Sequence, residues 1–163
     1  MFTYNWKMPA VTATGIIFFY QDGKPYFVLA KRADTVDMYP GEYCFPGGFL
    51  NPGTETVVEA MRREAREELS IYSNPDDWTM FHVQDTFAAV DPRNEHTVNV
   101  CFYNNLSAYA YGVDKIIENL RAADDIGDYK IVPLEEMLIM QMAFDHKEIF
   151  YVFWHMFENQ LTK

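Results

Sequence analysis

Residues 46–71 read PGGFLNPGTETVVEAMRREAREELSI, and this stretch decides how the rest of the chain is read. Glu64, Glu67 and Glu68 fall at i, i+3 and i+4. On a helix that spacing predicts three carboxylates on one face, one turn deep. Like charges so close repel, so a helix gains nothing from them unless a cation sits there. Ala60, one turn earlier, is expected to leave open space above the acids. Val58, Met61, Ala65 and Leu69 form an apolar stripe beside them, which lets the helix dock on a core with its acids at the edge. Thr56 with Glu59 three residues on reads as a capping box that opens the helix. Gly47 and Gly48 let the backbone come close to whatever the acids hold.

All three candidate ligands are carboxylates, with no His or Cys among them. That donor set selects a hard cation, Mg²⁺ or Mn²⁺, over Zn²⁺. Mg²⁺ commonly shares its sphere with a substrate phosphate, so the pattern points to metal-assisted chemistry on a phosphate or diphosphate. The competing reading is a solvated, charged helix face, which is what most such runs are.

Working outward, the chain has 163 residues, 49% of them apolar and 17% aromatic, enough for one globular domain with a sizeable core. We expect a single domain over 1–163. The net charge is −11 and the pI about 4.6. Such a surface repels DNA and anionic membranes, so neither is an expected partner. It also repels a free phosphate ligand, which suits a protein that reaches its substrate through a bound cation. Two cysteines, Cys44 and Cys101, read as buried, reduced thiols. No run approaches 18 apolar residues and the start lacks a signal pattern, so a cytoplasmic location is the expectation.

Strands are predicted over 9–20, 25–32, 43–45, about 79–89 and 96–104, with a turn at Gln21-Asp22-Gly23-Lys24. The acidic helix spans about 56–69, and 113–120 reads as a short helix. An acidic loop over 124–128, a short strand at 129–132 and a helical turn from Pro133 follow. Asp145 with Glu148 reads as a second capping box, opening a helix to about 159. Strands and helices mix without strict alternation, which argues for an α+β domain with helices on a mixed sheet.

The 46–71 stretch resembles the Nudix box, G-x5-E-x7-R-E-U-x-E-E-x-G-U, where U is aliphatic. Glu55, seven residues, then Arg63-Glu64-Ala65-Arg66-Glu67-Glu68-Leu69-Ser70-Ile71 follow its second part. Three departures stand out. One extra residue separates Gly48 from Glu55, Ala65 is small for its slot, and Ser70 replaces the helix-ending Gly. That last turn must therefore be made without the usual positive-φ residue. The resemblance implies the Nudix fold, an α/β/α sandwich with a mixed β-sheet between helices.

Further stretches are similar to one branch of the family, the ADP-ribose pyrophosphatases. Leu29-Ala30-Lys31-Arg32 and Cys44–Phe49 look like the strand and approach to the box. Asp91-Pro92-Arg93 with His96-Thr97-Val98-Asn99-Val100 resembles their DPR-x-HTVSV run. Residues 121–134 line up on KAGDDAAEARWVPL, and Ala143-Phe144-Asp145-His146 resembles the AFDH before their last helix. ADP-ribose-responsive Nudix regulators share that last motif. The stretch 105–120 looks longer than in most relatives.

The resemblance implies a Mg²⁺-dependent (or Mn²⁺-dependent) hydrolase acting on a small-molecule nucleotide, with ADP-ribose cleaved to AMP and ribose 5-phosphate. It implies Glu64, Glu67 and Glu68 as metal ligands with the Gly47 carbonyl, and Arg63 as the residue that orients the acids. It places Arg32 and Arg93 near the substrate, against the plainer readings of a strand-end charge and a solvated loop Arg. In the acidic loop, Asp125 is the first choice for the proton acceptor, ahead of Asp128; ordinary turn chemistry is the alternative, and Glu67 the alternative base. Asp145 is explained as a helix cap and His146 as a structural first-turn residue. His82 and His155 carry no constellation, and Tyr109 and Tyr111 are read as packing residues ahead of base-stacking ones. Rival functions are hydrolysis of a nicotinamide dinucleotide or a modified nucleoside triphosphate, and a non-catalytic ADP-ribose sensor. The intact acids, and a chain that ends about where the last Nudix helix should, favour catalysis over the sensor. Related pyrophosphatases are often dimers, so the resemblance makes a homodimer one candidate assembly, and the sequence does not fix the oligomeric state.

Overall fold

The computed structural model describes residues 9–86, 96–110 and 112–161. Seven strands form one mixed sheet: β1 (Ala10–Gln21), β2 (Lys24–Arg32), β3 (Tyr43–Cys44), β4 (Gly47–Phe49), β5 (Thr79–Thr86), β6 (Thr97–Asn105) and β7 (Ile126–Pro133). The helices are α1 (Val57–Leu69), α2 (Val113–Asn119), α3 (Leu134–Met137) and α4 (His146–Leu161). The order β3-β2-β1-β6-β5 carries β7 on β2 and β4 on β1. Among the described residues only β1 and β6 pair in parallel; the other pairs are antiparallel.

Alternation along the central strands gives the sheet two apolar faces. Ala13, Ile17, Phe19, Val28 and Ala30 pack on one face against Ala60, Met61, Ala65 and Leu69 of α1, with Ile116 of α2. Ile16, Phe18, Phe27 and Leu29 pack on the other against Met137, Ile149, Phe150 and Phe153 of α3 and α4. The result is the expected α/β/α sandwich. Each fully buried side chain such as Met61 or Leu69 contributes up to about 1.5–3 kcal/mol. Both thiols are free and buried. No described helix is long and apolar enough to cross a membrane.

One edge of β1 is shared. Its C-terminal half, from Ile17 to Gln21, pairs with β2, whereas Thr12 to Thr14 pair with β4. The sheet therefore splits between β2–β3 and β4. Gly47 stands opposite Thr14 at that split, and its N–H turns away from β1 toward α1.

Several expectations change. Residues 47–49 form a strand, because pairing with β1 holds a Gly-Gly segment that local propensity disfavours. The acidic loop expected over 124–128 is shorter: Ile126, Gly127 and Asp128 already belong to β7, paired with Arg32 and Lys31 across a register shift. Ala60 is fully buried in the core and borders no open space above the acids. Ser70 takes the left-handed conformation itself, at φ 60°, so a side-chain-bearing residue does what the family's Gly does. That backbone costs a non-glycine residue about 1–2 kcal/mol.

Candidate active site

The start of α1 is built as predicted. Thr56 accepts from the Glu59 N–H, and the Glu59 carboxylate accepts from the Thr56 N–H at 2.7 Å. The extra residue before Glu55 is absorbed in a turn, where the Thr54 N–H and hydroxyl both return to the Asn51 carbonyl. Glu55 thereby stays in register with Arg63. The Arg63 Nε and Nη2 donate to the two Glu55 oxygens at 3.0 and 2.8 Å, and Nη2 also reaches the Phe49 carbonyl at 2.9 Å. Its Nη1 donates to Glu64 at 2.6 Å and to Glu67 at 3.3 Å. Arg63 thus ties the loop, β4 and two acids together. Its guanidinium holds the Glu55 carboxyl down at about 2.

The three helix acids do not share one environment. Successive helical residues are about 100° apart, so Glu67 turns away from Glu68 while Glu64 stays near it. Glu64 and Glu68 are buried, whereas the Glu67 side chain is 40% exposed and bonded to Arg63 and Arg66. Gly48 is what admits Glu64 to its place: a Cβ there would collide with the Glu64 carboxylate. Glu68 accepts from the Gly47 N–H at 3.0 Å, at the split in the sheet. Burial pushes the Glu68 carboxyl well up, and the negative charges of Glu64 and Asp125 add to that. Burial likewise raises Glu64, against the pull of Arg63.

A cavity of about 380 Å³ opens beside Glu68. Arg32 and Asp125 line it and pair with each other, Nη1 to Oδ2 at 2.9 Å. The Arg32 Nε donates to the Met38 carbonyl at 2.8 Å, and its guanidinium lies 5.3 Å from the centre of the Phe144 ring. Asp125 is further fixed through its backbone, whose carbonyl accepts from the Ala33 N–H. Asp128 does not join it: on β7 it is exposed and accepts from its neighbour's N–H. The cluster expected of Asp124, Asp125 and Asp128 is therefore separated by strand geometry, which turns Asp128 outward.

His146 is buried at the start of α4 and closes the cavity wall. The Phe45 N–H donates to its Nδ1 at 2.9 Å, so that nitrogen is unprotonated and the ring is held neutral, with its proton on Nε2. Burial lowers its pKa to about 4, opposed by Asp145 and reinforced by Arg32. The structural role expected of it holds. The Ile149 N–H bonds the Asp145 carbonyl, which puts Asp145 at the N-cap position. Tyr109 accepts from Asn104 and packs against the core. Arg93, with the whole Asp91-Pro92-Arg93 motif, and Tyr111 lie outside the described residues.

The acids fit a hard divalent cation chemically. Two buried carboxylates lie here, the charge of Glu64 raises the proton affinity of Glu68, and the candidate ligands are all oxygens. Among the described residues no three acids already converge on one point, since Arg63 holds Glu64 and Glu67 from the side. Thr12, Thr14, Thr97 and Asn99 also line the cavity, and sequence reasoning assigned them no role. The signal was there: polar residues at every second position of two strands, on one face.

A family model described as the NUDIX domain matches residues 9–153. The nucleoside triphosphatase NudI of Salmonella agona is 44% identical over 57 residues, which cover 33% of this chain and 40% of that protein. Among solved structures, the NUDIX domain of Shewanella oneidensis NrtR complexed with ADP ribose superposes with a TM-score of 0.74 at 20% identity. It covers 93% of this chain and 90% of its own. A mutT/nudix family protein from Listeria innocua matches at 0.68 and 25% identity, over 96% of this chain and 100% of its own. A bifunctional NMN adenylyltransferase/ADP ribose pyrophosphatase from Francisella tularensis, complexed with AMP and a Mn ion, gives 0.68 at 19% identity, over 97% of this chain and 43% of its own.

Proposed function

Because the chain belongs to the Nudix family, we propose that it is a divalent-metal-dependent hydrolase of a nucleoside diphosphate derivative, with ADP-ribose as its leading substrate. The observation that carries this reading is the meeting of a buried acid, Glu68, and an Arg–Asp pair, Arg32–Asp125, on one cavity. A site for a diphosphate needs a cation-holding edge, a fixed positive group and a proton acceptor, and these residues are of those types.

Glu64, Glu67 and Glu68, with the Gly47 carbonyl, would hold Mg²⁺ or Mn²⁺, and the bound cation supplies charge neutralisation at the diphosphate. Arg63 keeps Glu64 and Glu67 at fixed positions through bonds to Glu55 and Phe49. Arg32 binds a phosphate oxygen and in doing so leaves Asp125. The freed Asp125 carboxylate accepts the proton of the attacking water. Water oxygen bonds to one phosphorus, the bridging P–O bond breaks, and AMP and ribose 5-phosphate leave.

The test is product analysis after incubation with Mg²⁺ and either ADP-ribose, a nicotinamide dinucleotide or nucleoside triphosphates. AMP from ADP-ribose is the expected outcome. A second reading, nucleoside triphosphate hydrolysis, is favoured by the NudI likeness; release of pyrophosphate or phosphate from triphosphates with ADP-ribose untouched would replace the first reading with it. ADP-ribose bound and left intact would move the protein to the sensor class.

A further inference from the structure

On the α4 face of the sheet, β1 presents Thr12, Thr14, Ile16 and Phe18 in turn, and β6 presents Thr97, Asn99 and Cys101. Both strands switch from polar to apolar along this face, β6 after Asn99 and β1 one pair further on, after Thr14, which stands opposite Cys101. The apolar ends, Ile16, Phe18 and Cys101, lie in the core cluster beneath α4. The polar ends line the cavity. A sheet face that needed only to be covered would carry apolar residues along its whole length.

Asn99 makes the difference specific. It is 6% exposed, and its Nδ2 donates to Thr14 Oγ1 at 2.9 Å. Its Oδ1 has no hydrogen-bond partner among the described residues. With the amide turned over, the nitrogen would be the unpaired atom, so one of the two is unpaired in either orientation. An unpaired buried amide atom destabilises the free protein, and a ligand that completes it recovers that loss.

We propose that Thr12, Thr14, Thr97 and Asn99 form a recognition floor for the uncharged nucleoside part of the substrate, with the Asn99 amide making the selective hydrogen bond. None of the four is charged, and together they offer both donors and acceptors, which suits base edges or ribose hydroxyls. Position agrees. Phe49, Thr12 and Asn99 form one row across β4, β1 and β6, so Asn99 lies two strand spacings, about 10 Å, from β4, whose Gly47 N–H bonds the Glu68 carboxylate of α1. A nucleotide can then lie across β1 with its phosphates at the acids and its nucleoside over β6.

This inference rests on the proposed nucleotide chemistry, so its test is made on binding alone. The full chain and its Asn99→Leu variant are titrated, in metal-free buffer, with adenosine, guanosine, cytidine, uridine, 2′-deoxyadenosine and ribose, by NMR shift changes. At least one nucleoside should bind the wild type, and the variant should bind it at least ~10-fold more weakly. The free variant should melt close to the wild type, because the gain from removing the unpaired amide atom offsets the loss of the bond to Thr14. Selectivity among bases on one sugar identifies a base edge as the group read; loss with 2′-deoxyadenosine identifies the hydroxyls. Equal binding by both proteins, or no binding of any probe, overturns the proposal. If Asn99→Leu melts far lower, Asn99→Ser takes its place, and unchanged binding there is equally fatal. Nucleoside binding without turnover of any nucleotide would sink the hydrolase reading and leave this one standing.

Discussion

Two acidic regions border the cavity, and they meet opposite problems. In α1 the acids are carried inward by a helix whose apolar stripe must be buried, so Glu64 and Glu68 become buried carboxylates, steadied afterwards by Arg63 on the one and the Gly47 N–H on the other. Around the start of β7 the acids begin in solvent, and one is drawn in by a partner: Asp125, just before the strand, pairs with Arg32 while Asp128, within it, stays outside. Burial comes first and charge pairing second in the helix; in the turn the order is reversed. The acids that packing has forced inside are suited to holding a cation, and the acid held by a replaceable ion pair is suited to moving a proton.

That contrast is sharpest in Glu68. Glu68→Gln should lower kcat by ~10³-fold while the metal-free melting temperature stays level or rises, since a buried carboxylate with raised proton affinity becomes neutral. Glu67→Gln, at an exposed position, should leave the fold unchanged and cost less activity. Equal losses in the two variants would erase the distinction between buried and exposed helix acids. Divalent metal should also raise the melting temperature of the wild type more than that of Glu68→Gln; thermal scans with and without Mg²⁺ decide it.

The turn should show the same inside–outside division with a smaller effect. Asp125→Asn should cut kcat by ~10²-fold with little change in KM, whereas Asp128→Asn should stay near wild type. Steady-state kinetics at saturating metal measure both. Should Asp128→Asn prove the more damaging, strand β7 does not turn that residue away from the reaction.

Stability offers a quieter comparison. Arg63→Ala should cost about 2–4 kcal/mol, because it strips partners from Glu55 and Glu64 together, and Glu55→Gln less. The double variant should cost less than the sum, as expected of coupled residues; denaturant melts of all four proteins supply the cycle. Arg32→Ala, whose Asp125 partner is 39% exposed, should cost under about 1 kcal/mol.

A comparison read by pH concerns the cavity wall, where the Phe45 N–H bonds His146. The folded pKa of His146 lies below its ordinary 6.5, near 4, so the unfolded chain binds the extra proton first. The stability from the neutral ring is therefore complete above about pH 6.5 and is lost as pH falls from there toward 4. Melting temperatures of wild type and His146→Asn across that window should converge at the acid end. Parallel curves would mean that folding does not shift the ring's proton affinity.

What was legible in the sequence is what local rules govern. Thr56 and Glu59 announce the helix start because both halves of the capping box lie within four residues. The inward stripe of α1 follows from spacing alone. β4 was not legible, since Gly47-Gly48-Phe49 has no strand propensity and exists by pairing with a strand more than thirty residues earlier. The start of β7 was hidden by Asp-Asp-Ile-Gly-Asp, which reads as a turn until β2 claims half of it. Asn99 and Thr14 are 85 residues apart, and no periodicity in either strand says that they meet.

The two acidic regions are joined by a link that involves no side chain. The Ala123 N–H donates to the Glu68 carbonyl at 3.1 Å, and the Arg121 N–H to the Leu69 carbonyl at 3.3 Å. These carbonyls belong to the last turn of α1, where the helix has no partners of its own to offer. A main-chain donor survives every substitution except proline. Substitutions of the side chains at 121 and 123 therefore leave both bonds in place, and the turn that carries Asp125 stays anchored to the backbone of Glu68. Selection need only keep proline out of two positions to preserve that alignment.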